Sequence, residues 1–171
     1  MDTNGGKLGV VSVKNRALRI LLDIILVTFC AFVILTSSKL RVPFYPVPFT
    51  MQTIAVVVVS ILAGRWRSLA SLLLFTALWT PFCATGGYIL GFFIVPLIIG
   101  NGAVNMPGRN LFIRILLSHL TVLAVGTFVL SFFVGAKTAF VSGFLFFIPS
   151  GIFKGIISFA LVRTFRRLRR Q

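Results

Sequence analysis

Ala17-Leu-Arg-Ile-Leu-Leu-Asp-Ile-Ile-Leu-Val-Thr-Phe-Cys-Ala-Phe-Val-Ile-Leu-Thr36 decides the fold class. About 20 residues of helix, at ~1.5 Å each, match the ~30 Å hydrocarbon layer of a bilayer. The run carries two charges, Arg19 and Asp23. Their spacing of four sets them on one helical face, where a pair near the inner interface is expected. A cleaved signal peptide would have a shorter apolar stretch, without an acid, and an Ala-x-Ala-like site after it. This stretch reads as a retained first helix.

The rest of the chain has the same character. Its 171 residues are 58% hydrophobic and 11% charged, with 19 Phe. A soluble domain must wet its outer face and cannot hide so much apolar surface. An outer-membrane barrel would show short alternating segments, whereas the apolar residues here arrive in unbroken runs. The expected fold is therefore all-α, a polytopic bundle of about six transmembrane helices. Cys30 and Cys83 lie inside apolar runs and read as small core residues, not as a disulfide framework or a metal site.

After the first helix comes Arg41-Val-Pro-Phe-Tyr-Pro-Val-Pro-Phe49, whose three prolines within six residues forbid a regular helix and favour extended backbone. Helices are expected at Thr50–Gly64, Ser68–Trp79, Tyr88–Gly100 and Asn110–Val134. Arg65-Trp66-Arg67 reads as a tight basic turn, Thr80-Pro81 and Thr85-Gly86-Gly87 as breaks, and Asn101–Arg109 as a polar loop. The last apolar run, Ala139–Val162, is interrupted at Pro149-Ser150-Gly151. The domain division is a basic tail at 1–16, a membrane bundle at 17–163 and an Arg-rich tail at 164–171.

Seventeen Lys and Arg stand against two acids, Asp2 and Asp23, for a net charge of +15. In a soluble protein this would suggest nucleic acid. Here the basic residues sit between and beyond the apolar runs, and no basic, aromatic surface is left for nucleic acid to bind. They read as orientation signals and lipid headgroup contacts. With both termini cytoplasmic, Lys7, Lys14, Arg16, Arg19, Arg65, Arg67, Arg109, Arg114 and the five arginines of 163–170 fall inside. Only Lys39, Arg41 and Lys137 fall outside. An even number of spans satisfies that bias.

Enzymes need carboxylates, histidines or an activated nucleophile, and this chain has two acids and one histidine, His119. A dyad of His119 with Ser142, as in an intramembrane hydrolase, is the weakest reading because nothing positions the two. No phosphate loop of the form GxxxxGK[ST] occurs, so any pumping draws its energy from a partner. Lys154 is the most informative residue. A lysine at mid-membrane costs about 2.5–3.5 kcal/mol by insertion scales, so it faces a cavity or a partner. Pro149 suits the first turn of a helix, which places Lys154 in the second, where the helix N-terminus and the ammonium both attract a carboxylate. No acid of the chain is expected near it, so the counter-charge reads as a ligand. The alternative is that Lys154 snorkels to the outer surface. Thr50 and Gln52 beside the prolines either cap a helix and bond between helices or touch a ligand. Gly87 with Gly91, and Gly151 with Gly155, form GxxxG pairs that permit close packing within the bundle or against a partner.

Three stretches are familiar. Pro46-Val-Pro-Phe-Thr-Met-Gln-Thr53 resembles the PVP-x-T-x-QT signature of the BioY family of biotin transporters. Thr85-Gly-Gly-Tyr-Ile-Leu-Gly-Phe92 resembles that family's TGGYL-x-GF, and Gly143-Phe-Leu-Phe-Phe-Ile-Pro-Ser-Gly-Ile-Phe-Lys154 is similar to its closing motif. The resemblance implies a six-helix bundle in the bacterial cytoplasmic (inner) membrane that captures biotin from the outer side. It would be the substrate-binding S component of an energy-coupling-factor (ECF) transporter, with a transmembrane scaffold subunit and two ATPases as partners. No cofactor and no metal are implied, since biotin is cargo. The implied pocket combines the proline-rich segment, the Thr85–Tyr88 turn and the start of the last helix. There Lys154 would hold the carboxylate, while Gln52, Thr50, Thr85 and Tyr88 would supply hydrogen bonds or ring contacts. Such an apolar pocket with few polar groups suits biotin's ring and tail. Three features depart from the family pattern. Gly151 stands in place of an aspartate, the loop before Thr85 is shortened, and Ala17 and Ala31 do not make an Ala-x-x-x-Ala strip for the scaffold. Rival readings are capture of another small carboxylate and a non-transporting membrane scaffold.

Overall fold

The computed structural model describes residues 16–42, 49–78 and 86–169. In hydrocarbon each backbone N–H and C=O must be satisfied inside its own segment, and apolar runs of this length do so as helices. The order is α1 (Arg16–Lys39), β1 (Arg41–Val42), β2 (Phe49–Thr50), α2 (Gln52–Ala63), α3 (Arg65–Leu78) and α4 (Gly86–Ile99). A 3-10 turn (Ala103–Asn105), α5 (Gly108–Val134), α6 (Ala136–Ala139), a π-helical stretch (Phe140–Leu145) and α7 (Phe147–Leu168) complete it. Helices α1 to α5 and α7 are the six expected from the apolar runs. The N-terminal residues 1–15, the prolines of 43–48, the Thr80-Pro81 break, Cys83 and Thr85 lie outside the described residues.

Arg16–Lys39, Gly108–Val134 and Ala136–Leu168 are long and apolar enough to cross a membrane. The 12 residues of α2 and 14 of α4 cover only about 18–21 Å at the helical rise. Helices that short leave one end inside a ~30 Å apolar layer, where irregular backbone persists only under a cover of protein.

Polarity is inverted relative to a soluble protein. Phe29, Phe32, Phe128, Phe132 and Phe153 are exposed, while Ser60, Ser118, Ser158, His119 and Lys154 are buried. Buried serines donate to carbonyls of their own helix, as Ser60 Oγ does to Val56 O (2.7 Å) and Ser158 Oγ to Lys154 O (2.8 Å). Others tie helices together: Ser71 Oγ donates to Val27 O of α1 (3.1 Å) and Ser68 Oγ to Val59 O of α2 (3.1 Å). Ile34, Val57, Leu72, Phe75, Val95 and Ile115 fill the main core. Both GxxxG pairs face α5. A Cβ on Gly91 would stand 2.9 Å from Val122 Cα, one on Gly87 would collide with Val129, and one on Gly155 would stand 2.9 Å from Leu116 Cδ2. These glycines thus serve packing within the bundle.

Several expected boundaries are corrected. Arg65-Trp66-Arg67 is the first turn of α3, not a turn between helices; the break is at Gly64, with φ +82°. Asn101 Oδ1 accepts from the Arg65 N–H at 2.9 Å and so satisfies one of the open donors of α3. Gly86 and Gly87 are already helical. α1 runs on to Lys39, with Ser37 and Ser38 donating back to Ile34 O and Leu35 O.

The largest correction concerns the last apolar run. Pro149 and Gly151 lie within α7, and the irregularity falls earlier, in the π-helical stretch. There the Phe146 N–H reaches five residues back, to Val141 O at 3.1 Å. Pro149 lacks an N–H and its ring crowds the carbonyl four residues before it, that of Leu145. A widened turn ending at Leu145 relieves that clash without breaking the helix. α7 therefore continues a hydrogen-bonded helix, and Lys154 begins its third turn. The ammonium itself, not an open helix N-terminus, supplies any attraction for an anion.

Candidate functional site

Lys154 lies nine residues before Arg163, so it stands about 14 Å along the axis from the basic end of α7, near the middle of a ~30 Å layer. It shares the buried face of α7 with Phe147, Gly151, Gly155, Ser158 and Val162. The side chain is 6% exposed, so it does not snorkel to the surface. Asp23, the acid among the described residues, bonds Arg67 Nη2 at 2.7 Å. That pair joins α1 to α3 and gives Lys154 no counter-charge.

What faces Lys154 is an aromatic ring. Its Nζ is 4.2 Å from the centroid of Phe49, close enough for a cation–π attraction that gains strength away from water. A short antiparallel ladder puts Phe49 there. Arg41 pairs with Thr50 and Val42 with Phe49, and the Met51 N–H donates to Leu40 O at 3.1 Å. The ladder hands the chain into α2.

Phe49 belongs to a second apolar cluster, apart from the main core. Leu123, Leu130, Ala139 and Phe147 are its buried members, and Phe49, Tyr88, Val134 and Phe144 pack against it. Tyr88 enters from the first turn of α4. Its ring lies so close to Gly126 of α5 that any Cβ there would collide, and its hydroxyl donates to Gly143 O in the π-helical stretch at 3.1 Å. Gln52, the first residue of α2, is buried three positions after Phe49, and its Nε2 meets no partner among the described residues. It does not cap the helix: the N-cap is Met51, without a side-chain cap bond. Thr50 is half-buried and held by the ladder.

Of the expected site residues, Lys154 and Tyr88 thus converge through Phe49 and its cluster, and Gln52 follows Phe49 along the chain. Thr50 is tied to the ladder, and Thr85 lies outside the described residues. Sequence reasoning missed two neighbours. Phe49 sits inside the first motif, but its contact with Lys154 depends on the ladder. In the sequence His119 stands out only as half of a hydrolase dyad. It is 3% exposed, with Nδ1 2.9 Å from Ile115 O, and it lies within electrostatic reach of Lys154. Ser142 Oγ instead donates to Thr138 O at 2.7 Å. The glycine after Ser142 packs against Thr127 and Leu130, at least eight residues, or ~12 Å, along α5 from His119. The dyad is not assembled.

A buried ammonium, aromatic rings and an imidazole, gathered inside a lipid-facing helix bundle, define the class: a polytopic membrane protein with a polar cluster buried among its helices. The chain belongs to the BioY family, whose family model matches residues 11–81 and 80–171. It is 27% identical over 168 residues to the probable biotin transporter BioY of Rickettsia prowazekii (strain Madrid E), covering 88% of this chain and 87% of that protein. It is 32% identical over 140 residues to the probable biotin transporter BioY of Pyrococcus horikoshii, covering 72% and 84%. To the biotin transporter BioY2 of Lactococcus lactis subsp. cremoris it is 31% identical over 156 residues, covering 80% and 86%. The fold is similar to that of the S-component for biotin from an ECF-type ABC transporter. The TM-score is 0.75 at 23% identity, over 92% of this chain and 95% of that one.

Proposed function

We propose that this chain is the substrate-binding subunit of a biotin uptake system in the bacterial cytoplasmic membrane. It captures biotin from the outer side, and the energy for uptake comes from ATP hydrolysis in partner subunits joined through a transmembrane scaffold. Both termini are cytoplasmic. Membership of a family of transporters rather than enzymes, and relatives named for biotin transport, support this reading. The observation that carries it is Lys154, an ammonium buried near mid-membrane, over a ring and away from the described acid. A carboxylate is the group it lacks, and biotin ends in one. The aromatic cluster around Phe49 and Tyr88 suits biotin's rings and aliphatic tail.

Equilibrium binding of labelled biotin to the detergent-purified protein tests the reading, with Lys154→Ala alongside. A hydrogen bond to a charged group is worth about 1.5–3 kcal/mol, so the variant is expected to lose roughly 10- to 150-fold in affinity. Saturable binding unchanged by the variant would keep biotin and move its carboxylate elsewhere. A well-folded sample that binds no biotin, but binds another small carboxylate in competition assays, would sink the biotin assignment.

A further inference from the structure

His119 lies on the face of α5 that packs against α7, and its two ring nitrogens have different surroundings. Nδ1 is 2.9 Å from Ile115 O. A carbonyl only accepts, so Nδ1 carries the hydrogen and Nε2 of the neutral ring presents a lone pair. Nε2 is buried and meets no partner among the described residues. Nearly all buried polar atoms in folded proteins are paired, so an unmet acceptor on a side chain this buried asks for an explanation. Its position supplies one. Lys154 lies within electrostatic reach. Gly151, three residues before Lys154, faces the same side: a Cβ there would stand at ordinary contact distance, 3.9 Å from His119 Cβ and 3.5 Å from Leu123 Cδ1. The cluster therefore offers a donor on Lys154 and an acceptor on His119.

We infer that His119 is a specificity-determining residue whose Nε2 accepts a hydrogen bond from an N–H of the ligand, so that the site favours carboxylates bearing an amide- or urea-type N–H. The inference rests on the reading of this chain as a biotin-binding subunit and adds the residue that reads the ureido group. A site built to bond a ligand N–H rejects an analogue without it, because the protein group is then left buried and unpaired.

The test compares two ligands on the full-length protein in detergent. One is biotin; the other is 5-(tetrahydrothiophen-2-yl)pentanoic acid, which keeps the sulfur ring and carboxylate but has no N–H. Each displaces labelled biotin from the wild type, His119→Phe and His119→Gln. His119→Phe is expected to weaken biotin roughly five- to tenfold and leave the analogue unchanged. His119→Gln, whose amide oxygen can accept, is expected to recover part of the loss. Equal losses for both ligands would mean that His119 only packs and would overturn the inference, as would undiminished biotin binding. If His119→Phe aggregates, His119→Gln and His119→Asn decide by the same comparison. Biotin binding that is lost in Lys154→Ala but untouched in every His119 variant would overturn this inference alone. A folded wild type that binds no biotin would overturn both.

Discussion

Tyr88 holds together two features that sequence reading kept apart, the glycine-rich start of α4 and the irregular stretch before α7. Its hydroxyl bonds Gly143 O at 3.1 Å while its ring rests on Gly126. Tyr88→Phe keeps the ring and removes the bond, so the expected loss is about 0.5–1.5 kcal/mol of stability. A lower thermal-unfolding midpoint in detergent would show it; an unchanged midpoint would mean that Gly143 O finds another donor. The residues of the cluster were unequally legible. Lys154 declared itself because a charge inside an apolar run is costly wherever it falls. His119 did not, because a lone histidine in an apolar helix reads the same whether its outer nitrogen meets a ligand or a neighbour. Phe49 did not either, being one of 19 phenylalanines.

At the scale of elements, α4 and α5 approach closely because small residues let their backbones near each other. Gly91→Ala would push a Cβ to 2.9 Å from Val122 Cα and 3.3 Å from Val122 O, which are backbone atoms that cannot swing aside. The expected cost is about 1–3 kcal/mol. Gly86→Ala, whose Cβ would meet nothing within 4 Å among the described residues, is expected to be close to neutral. Paired melting curves of the two variants check this, and equal midpoints would contradict the close approach. Helix existence was legible here and helix ends were not. Arg65-Trp66-Arg67 carries the polarity of a loop but is the first turn of α3, since Gly64 makes the bend and Asn101 meets the Arg65 N–H. Pro149 marks a disturbance correctly, but the widened turn lies before it, where its ring would otherwise strike the backbone.

For the whole molecule, arginines gather around one loop. Arg114 Nη1 donates to Ile98 O and Ile99 O at 3.0 Å, and Arg166 donates to Met106 O at 2.9 Å and Ala103 O at 2.7 Å. They satisfy the carbonyls at the end of α4 and in the loop that follows, the end that the proposed topology assigns to the cytoplasm. In a Cys30→Ser, Cys83→Ser background, Lys137→Cys is expected to react with a membrane-impermeant maleimide on intact cells. Arg109→Cys is expected to react only after permeabilisation, and the reverse pattern would invert the proposed topology. The sequence by itself determined that this chain folds as helices in lipid, because long apolar runs can satisfy their backbone in hydrocarbon in no simpler way. It also carried the family, through three motifs in order. Which side chains meet was decided only by the tertiary structure. Lys154, Phe49, Tyr88 and His119 come from four separate elements, and each contact depends on which face a helix turns to its neighbour. An extra residue in one widened turn swings the following face by about 100°, and no count of apolar spacing shows where that turn falls.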